Sequence, residues 1–157
     1  MKIQTHLLLL PLIAVFILAG CDEEASLTLP KQFIETSTHS NRIGYIARGI
    51  SADKCVIALQ ERFNPKNGTL KFWAEVIRIE LKSRGYVLTK TDPITSTQDT
   101  PGTILKFTHD EMCYWLAIFV DGNTVLIAEA GGLTKQFETH EAQFLEAFQS
   151  VKFPNTL

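Results

Sequence analysis

Residues 114–130 have the sequence Tyr-Trp-Leu-Ala-Ile-Phe-Val-Asp-Gly-Asn-Thr-Val-Leu-Ile-Ala-Glu-Ala. Its two ends are almost wholly apolar and rich in β-branched and aromatic residues, which is typical of buried strands. The Asp121-Gly122-Asn123 segment between them tolerates positive φ and predicts a hairpin. Because residues 114–120 need cover on both faces, we expect them to form a central strand with a helix on at least one side.

Two amphipathic helices are predicted to supply this cover. The first spans residues 69–84, with Thr69 as its cap and Gly85 just after its end. Its apolar residues recur at helical spacing: Leu70, Trp73, Ile77 and Leu81. The second spans residues 140–151, and its apolar stripe consists of Phe144, Leu145, Phe148 and Val151.

The remaining strands are predicted from shorter patterns. Residues 55–63 fit either a helical stripe capped by Ser51 or a strand, and their β-branched residues favour a strand that forms a hairpin with residues 43–50. Residues 86–89 and 103–107 are also predicted strands. We expect residues 91–102, which contain two prolines, to form a long loop. Gly131-Gly132 is predicted to break the sheet.

This order of elements predicts a single α+β domain with a mostly antiparallel sheet packed by two amphipathic helices. The length of 157 residues and the hydrophobic content of 45% fit one such domain. Together with Glu-Ala-Gly-Gly at 129–132 and Phe-Gln-Ser-Val-Lys-Phe at 148–153, the order resembles the PsbP-like fold, which includes the envelope lipoprotein DcrB. The resemblance implies an accessory or binding protein, and it carries over no functional residues.

The N-terminus has the pattern of an export signal. Lys2 is the only charged residue before Asp22, and the apolar core at residues 7–18 is too short to span a bilayer comfortably. The segment ends in Leu18-Ala19-Gly20-Cys21, which resembles the lipobox of bacterial lipoproteins. That resemblance implies that residues 1–20 are a signal peptide and that Cys21 carries the lipid that attaches the chain to the membrane.

Residues 21–41 are predicted to form a lipid-anchored linker, and residues 42–157 the globular α+β domain. The linker is rich in Ser, Thr and Glu, although Phe33 and Ile34 could dock as an edge strand. Asp22 directly after the modified cysteine resembles the inner-membrane retention signal of enteric-type lipoproteins; a solvated acidic linker is the alternative. We expect a chain that faces the periplasm, with the inner membrane favoured by Asp22.

Cys55 and Cys113 are the two thiols left once Cys21 carries lipid. Export would place them in an oxidising compartment, where an even pair tends to close. We predict a disulfide between them. The alternative is two buried, apolar cysteines that never meet.

Two sets of residues have the chemical types of a catalytic site. Ser51 and Lys54 fit the SxxK motif, but its companion motifs are missing, so a turn or cap is the prediction. His109 and Cys113 could form a thiol–imidazole pair, but their spacing on an extended segment argues against it. His140 is predicted to be a surface residue of the last helix. We therefore expect no catalytic residues, no metal site and no cofactor.

Glu129 is the remaining site candidate, because it lies within a strand that is otherwise apolar. If its carboxylate faces the interior, it must be paired with other groups, and it would then mark a site. Since Val125, Ile127 and Glu129 share one face, the alternative is a position near the solvated end of the sheet.

Charge excludes one class of partner. The formal net charge is −2 and no basic run is present, so we expect no nucleic-acid partner. The sequence therefore predicts a membrane-anchored cell-envelope lipoprotein that acts as a non-enzymatic binding or accessory protein with a protein partner. The alternatives are an immunity-type inhibitor of an exported toxin and a small envelope enzyme that uses Cys113 with His109 or Ser51 with Lys54.

Overall fold

The computed structural model describes residues 24–36 and 44–154. The predictions for the signal peptide, Cys21 and Asp22 lie outside the described residues. The strands of the described part are β1 (Phe33–Glu35), β2 (Tyr45–Ser51), β3 (Val56–Phe63), β4 (Val87–Thr95), β5 (Pro101–His109), β6 (Met112–Asp121) and β7 (Thr124–Leu133). The helices are α1 (Leu70–Ser83), α2 (Thr134–Phe137) and α3 (Glu141–Gln149), with a 3-10 turn at Glu138–His140.

The strands form one sheet in the order β1-β2-β3-β7-β6-β5-β4. Every neighbouring pair is antiparallel. The predicted hairpin of β6 and β7 lies at the centre, and Gly122 in its turn has a φ of 51°. The predicted α+β domain with an antiparallel sheet is confirmed.

Helix α1 covers one face of the sheet. Its N-terminus is capped by Thr69, whose Oγ1 accepts a hydrogen bond of 3.2 Å from the backbone N–H of Phe72. Gly85, just past the helix, has a φ of 89°, as its predicted role requires. Ile77 and Leu81 are the buried residues of α1. They form a cluster with the sheet residues Leu105, Phe107, Leu116, Ile118, Val125 and Ile127.

Helices α2 and α3 cover the other face with large aromatic side chains. Phe137, Phe144 and Phe148 are each fully buried there. They belong to a cluster that includes the sheet residues Ile57, Leu59, Trp115, Phe119 and Leu126. Burial of one such side chain stabilises a fold by about 1.5–3 kcal/mol, so these three residues are large contributors to stability.

The predicted loop at residues 91–102 is wrong, because most of it is strand. β4 continues to Thr95 and β5 begins at Pro101, which leaves a short turn between them. β4 is an edge strand, so the missing N–H of Pro93 is tolerated there. Asp92 also forms ion pairs with Lys90 and Lys106, at 2.9 and 3.0 Å, which hold the edge together.

The prediction that Gly131-Gly132 breaks the sheet is wrong, because β7 continues to Leu133. Gly132 instead allows the Cys55 side chain to pack directly against the backbone of β7. A Cβ atom built at this position would lie 2.6 Å from Sγ of Cys55, so any side chain would collide with that thiol.

The folded part extends further toward the N-terminus than the predicted boundary at residue 42. Ser26 pairs with Lys152 in an isolated antiparallel bridge, and Leu27 and Phe33 are buried in the core. Phe33 and Ile34 lie in the edge strand β1, which is the alternative that the sequence left open for the predicted linker, and of the two only Phe33 is buried. The apolar residues interspersed among Ser and Thr in this segment give it contacts that composition alone does not show. Within the described residues, no helix combines the length and apolar character needed to cross a membrane.

Candidate functional site

Glu129 lies on the central strand β7, opposite Ala58 of β3 and Leu116 of β6. It shares a face with Val125 and Ile127, as alternation predicted, and this is the face covered by α1. Its exposed fraction is only 8%. The carboxylate therefore faces the interior, which is the alternative that marks Glu129 as a site candidate.

Both oxygens of the Glu129 carboxylate have hydrogen-bond donors. The Tyr114 hydroxyl donates a short hydrogen bond to Oε2, and Nε2 of Gln60 donates to Oε1 at 3.3 Å. Tyr114 reaches the carboxylate across Gly131, where a Cβ atom would lie 3.2 Å from its ring. These contacts offset the loss of water around a buried carboxylate.

Two phenols border this carboxylate, and both remain protonated at neutral pH. Burial and the nearby Glu129 raise the pKa of Tyr114 far above its usual value. The same two causes raise the pKa of Tyr45 to about 12. The Tyr114 phenol serves as a hydrogen-bond donor. Neither phenol is suited to act as a base or nucleophile.

A chain of polar contacts connects this buried group to the surface of α1. Oε1 of Gln60 accepts a hydrogen bond of 3.4 Å from Nη2 of Arg62. Nη1 of Arg62 lies 4.0 Å from Glu80 of α1, and Glu80 also pairs with Arg84 at 2.6 Å. The Arg84 side chain is 63% exposed, so this network ends at a charged rim that solvent and partners can reach.

These groups line a cleft of about 510 Å³ between the sheet and α1, which we call the Glu129 cleft. Its polar lining consists of Tyr45, Gln60, Arg62, Glu80, Arg84, Tyr114 and Glu129. Its apolar lining consists of Ile77, Leu81, Leu116 and Ile127. A cleft of this size in which polar groups converge beside apolar residues is a candidate binding site, and here seven of the eleven lining residues are polar or charged.

The predicted disulfide between Cys55 and Cys113 does not form, and both cysteines are free thiols. Cys113 lies opposite Gly132 on one side of β7, and Cys55 contacts Gly132 on the other side. Residues two strands apart in a sheet have Cα atoms about 9.5 Å apart, whereas a disulfide requires less than about 7 Å. Cys113 contacts Thr134, with its Sγ 3.5 Å from Oγ1.

The two candidate catalytic pairs are not assembled in the structure. Oγ of Ser51 accepts from the backbone N–H of Cys55 at 3.0 Å and bonds the Asp53 carboxylate, so this residue organises a turn, as predicted. His109 lies opposite Met112, while Cys113 lies opposite Thr108. Neighbouring residues of a strand point to opposite faces, so the sheet separates the His109 imidazole from the Cys113 thiol.

His140 differs from its prediction as a surface residue. Its side chain is only 12% exposed, and Nε2 lies 3.0 Å from Oδ2 of Asp53, which belongs to the β2–β3 turn. The chain separation of 87 residues between the two explains why the sequence pattern did not connect them.

Comparisons with known proteins show the fold. No family model matches the chain, and neither does any curated protein. The chain is similar to the solution structure of cyanobacterial PsbP (CyanoP) from Synechocystis sp. PCC 6803, with a TM-score of 0.58, 10% identity, and coverage of 81% of this chain and 85% of that chain. It is also similar to the crystal structure of PA94, a protein of unknown function from Pseudomonas aeruginosa, with a TM-score of 0.55, 11% identity, and coverage of 85% of this chain and 100% of that chain. The predicted likeness to the PsbP-like fold is confirmed, at the level of fold alone.

Proposed function

We propose that this protein is a lipid-anchored cell-envelope protein that binds a protein partner through the Glu129 cleft and catalyses no reaction itself. The observation that carries the proposal is the buried Glu129 carboxylate, held by Tyr114 and Gln60 below a charged rim. Burying a carboxylate is unfavourable, and such groups concentrate at functional sites.

The chemistry of the Glu129 cleft favours binding over catalysis. Its phenols stay protonated, and the two oxygens of Glu129 already accept hydrogen bonds from Tyr114 and Gln60. Each carboxylate oxygen is therefore oriented by a donor from this chain. The residues that reach the rim are the ion-paired Arg62, Glu80 and Arg84.

The charges of the Glu129 cleft favour a protein segment as the partner. Arg62 and Arg84 balance Glu80 and Glu129, so the lining has no net charge that would select a strongly anionic ligand. Apolar residues beside both signs of charge suit a peptide with mixed side chains, which would exchange the rim ion pairs for pairs with its own groups.

The anchor is the second part of the proposal. Leu18-Ala19-Gly20-Cys21 supports lipidation of Cys21, and Asp22 supports retention in the inner membrane, with the domain facing the periplasm. Mass analysis of the mature protein should find acyl mass on Cys21, and Cys21→Ser should block processing. An unmodified chain that retains Met1 in the membrane would contradict this part.

Site-specific photocrosslinking in cells tests the binding site. A photoreactive residue replaces Arg84 at the rim in one full-length variant and Glu146, exposed on α3, in a matched control. We expect one protein to be captured from position 84 and not from position 146, and Glu129→Gln to reduce its capture. Equal capture from both positions, or capture that Glu129→Gln leaves unchanged, would contradict the proposed site.

A further inference from the structure

Three side chains with metal-binding atoms meet on the opposite side of the molecule from the Glu129 cleft. They are Asp53 of the β2–β3 turn, Cys55 just before β3, and His140 just before α3. One ligand atom from each lies within 4.8 Å of the other two. A carboxylate, a thiol and an imidazole are three of the ligand types that Zn²⁺ uses in proteins.

The imidazole of His140 is held in the orientation that a metal ligand needs. Its Nδ1 lies 2.7 Å from Oε1 of Gln143, one turn along α3. Its ring packs edge-on against Phe33, with centroids 5.4 Å apart. The Gln143 oxygen can accept a hydrogen bond from Nδ1, which leaves Nε2 directed at Asp53, and such support is usual for metal-binding histidines.

The turn fixes the other two groups. Oγ of Ser51 bonds the Asp53 carboxylate and also accepts from the backbone N–H of Cys55. The Cys55 thiol is fully buried and lies over Gly132, where a side chain would collide with it. The glycine thus leaves room for a sulfur atom on this face of the sheet.

A buried oxygen without a partner in the described part of the chain lies in a cavity that Asp53 also borders. Asp53, Gly132 and Gln136 border one cavity of about 390 Å³. Oε1 of Gln136 is buried and has no hydrogen-bond partner among the described residues. Since buried polar atoms normally have partners, this oxygen is available to accept a hydrogen bond from a water molecule in the cavity.

We propose that Asp53, Cys55 and His140 bind a Zn²⁺ ion, with a water molecule as the fourth ligand. Three protein ligands with one open position are a common zinc arrangement, and a thiolate with an imidazole favours Zn²⁺ over Mg²⁺ or Ca²⁺. The ion would displace the thiol proton of Cys55 and join the β2–β3 turn to the start of α3. This proposal is independent of the Glu129 cleft.

Metal titration of the full-length protein in detergent tests the proposal. We expect one Zn²⁺ per chain, no competition from excess Mg²⁺, and a thiolate–metal charge-transfer absorption when Co²⁺ replaces Zn²⁺. Cys55→Ser and His140→Gln should each weaken Zn²⁺ binding at least tenfold and abolish the Co²⁺ absorption or shift it. Gln143→Ala should weaken binding about tenfold, because it removes only the support of the imidazole.

The controls are the other thiol and another histidine of the described chain. Cys113→Ser and His109→Gln should leave the affinity and the Co²⁺ absorption unchanged. His140→Gln and Asp53→Asn, which alter partly exposed side chains, keep the test valid if Cys55→Ser fails to fold. Absence of stoichiometric Zn²⁺ binding, or an affinity that His140→Gln leaves unchanged, would overturn the proposal.

Discussion

The two faces of the sheet are shielded from solvent by different kinds of side chain. On the α3 face, large aromatic side chains such as Phe137, Phe144 and Phe148 exclude water completely. On the α1 face, the helix buries only Ile77 and Leu81, and a polar network around Glu129 occupies the area near β2 and β3. The α3 face therefore forms a dry apolar core, whereas the α1 face combines an apolar core with a polar cleft.

Among substitutions on the two faces, we expect Phe144→Ala on the α3 face to lower the free energy of unfolding the most. Phe144 is fully buried and packs against Phe137, with ring centroids 4.7 Å apart. Truncation should lower the free energy of unfolding by about 3–5 kcal/mol, because it leaves a cavity as well as removing buried area. Urea denaturation measures this change. As a control, Phe72→Ala alters an exposed phenylalanine of α1 and should change stability by about 0.5 kcal/mol or less.

Tyr114→Phe tests how far the buried Glu129 carboxylate on the α1 face depends on its hydrogen bond. The variant keeps the ring but removes the hydroxyl that donates to Glu129. We expect the free energy of unfolding to fall by about 2 kcal/mol, since a buried carboxylate loses a charged hydrogen bond. Tyr86→Phe removes a hydroxyl from the ring that packs 5.6 Å from Tyr114 and serves as the matched control in the same urea experiment. Equal effects of both substitutions would show that the carboxylate does not depend on Tyr114.

We expect the smallest change in stability at Asp92, which lies on the edge strand β4 and outside both cores. Hydrogen bonds from Lys90 and then Lys106 lower the pKa of Asp92 below its usual value. A lowered pKa stabilises the fold above the ordinary carboxyl value, and this contribution disappears as the pH falls through the pKa of the folded state. Thermal unfolding should therefore show a small deficit for Asp92→Asn at neutral pH that begins to shrink below about pH 4 and vanishes once the pH is below the lowered pKa of the folded state. A deficit of constant size at all pH values would contradict this explanation.

The elements predicted well from the sequence depend on local patterns. The hairpin of β6 and β7 follows from two apolar runs around Asp121-Gly122-Asn123, and α1 follows from its spacing between Thr69 and Gly85. The loop predicted at residues 91–102 failed because prolines normally end strands, whereas Pro93 lies on an edge that only the strand order reveals.

The candidate site was only partly predictable. Glu129 was recognisable as a charge within an apolar strand, but its partners come from β2, β3, β6 and α1. The register that places Gln60 opposite both Tyr45 and Ile127 depends on long-range pairing, which a single sequence does not show. The only available signals were the polar Gln60 after an apolar run and the Glu80–Arg84 spacing on α1.

The bridge between Ser26 and Lys152 has a consequence for the reach of an anchored domain. If Cys21 carries the lipid as proposed, the chain has only positions 21 to 26 in which to leave the bilayer, about 18 Å at full extension. The domain would therefore remain in a thin layer beside the headgroups. A short tether of this kind raises the local concentration of the domain toward membrane-bound partners and keeps it from partners deep in the periplasm.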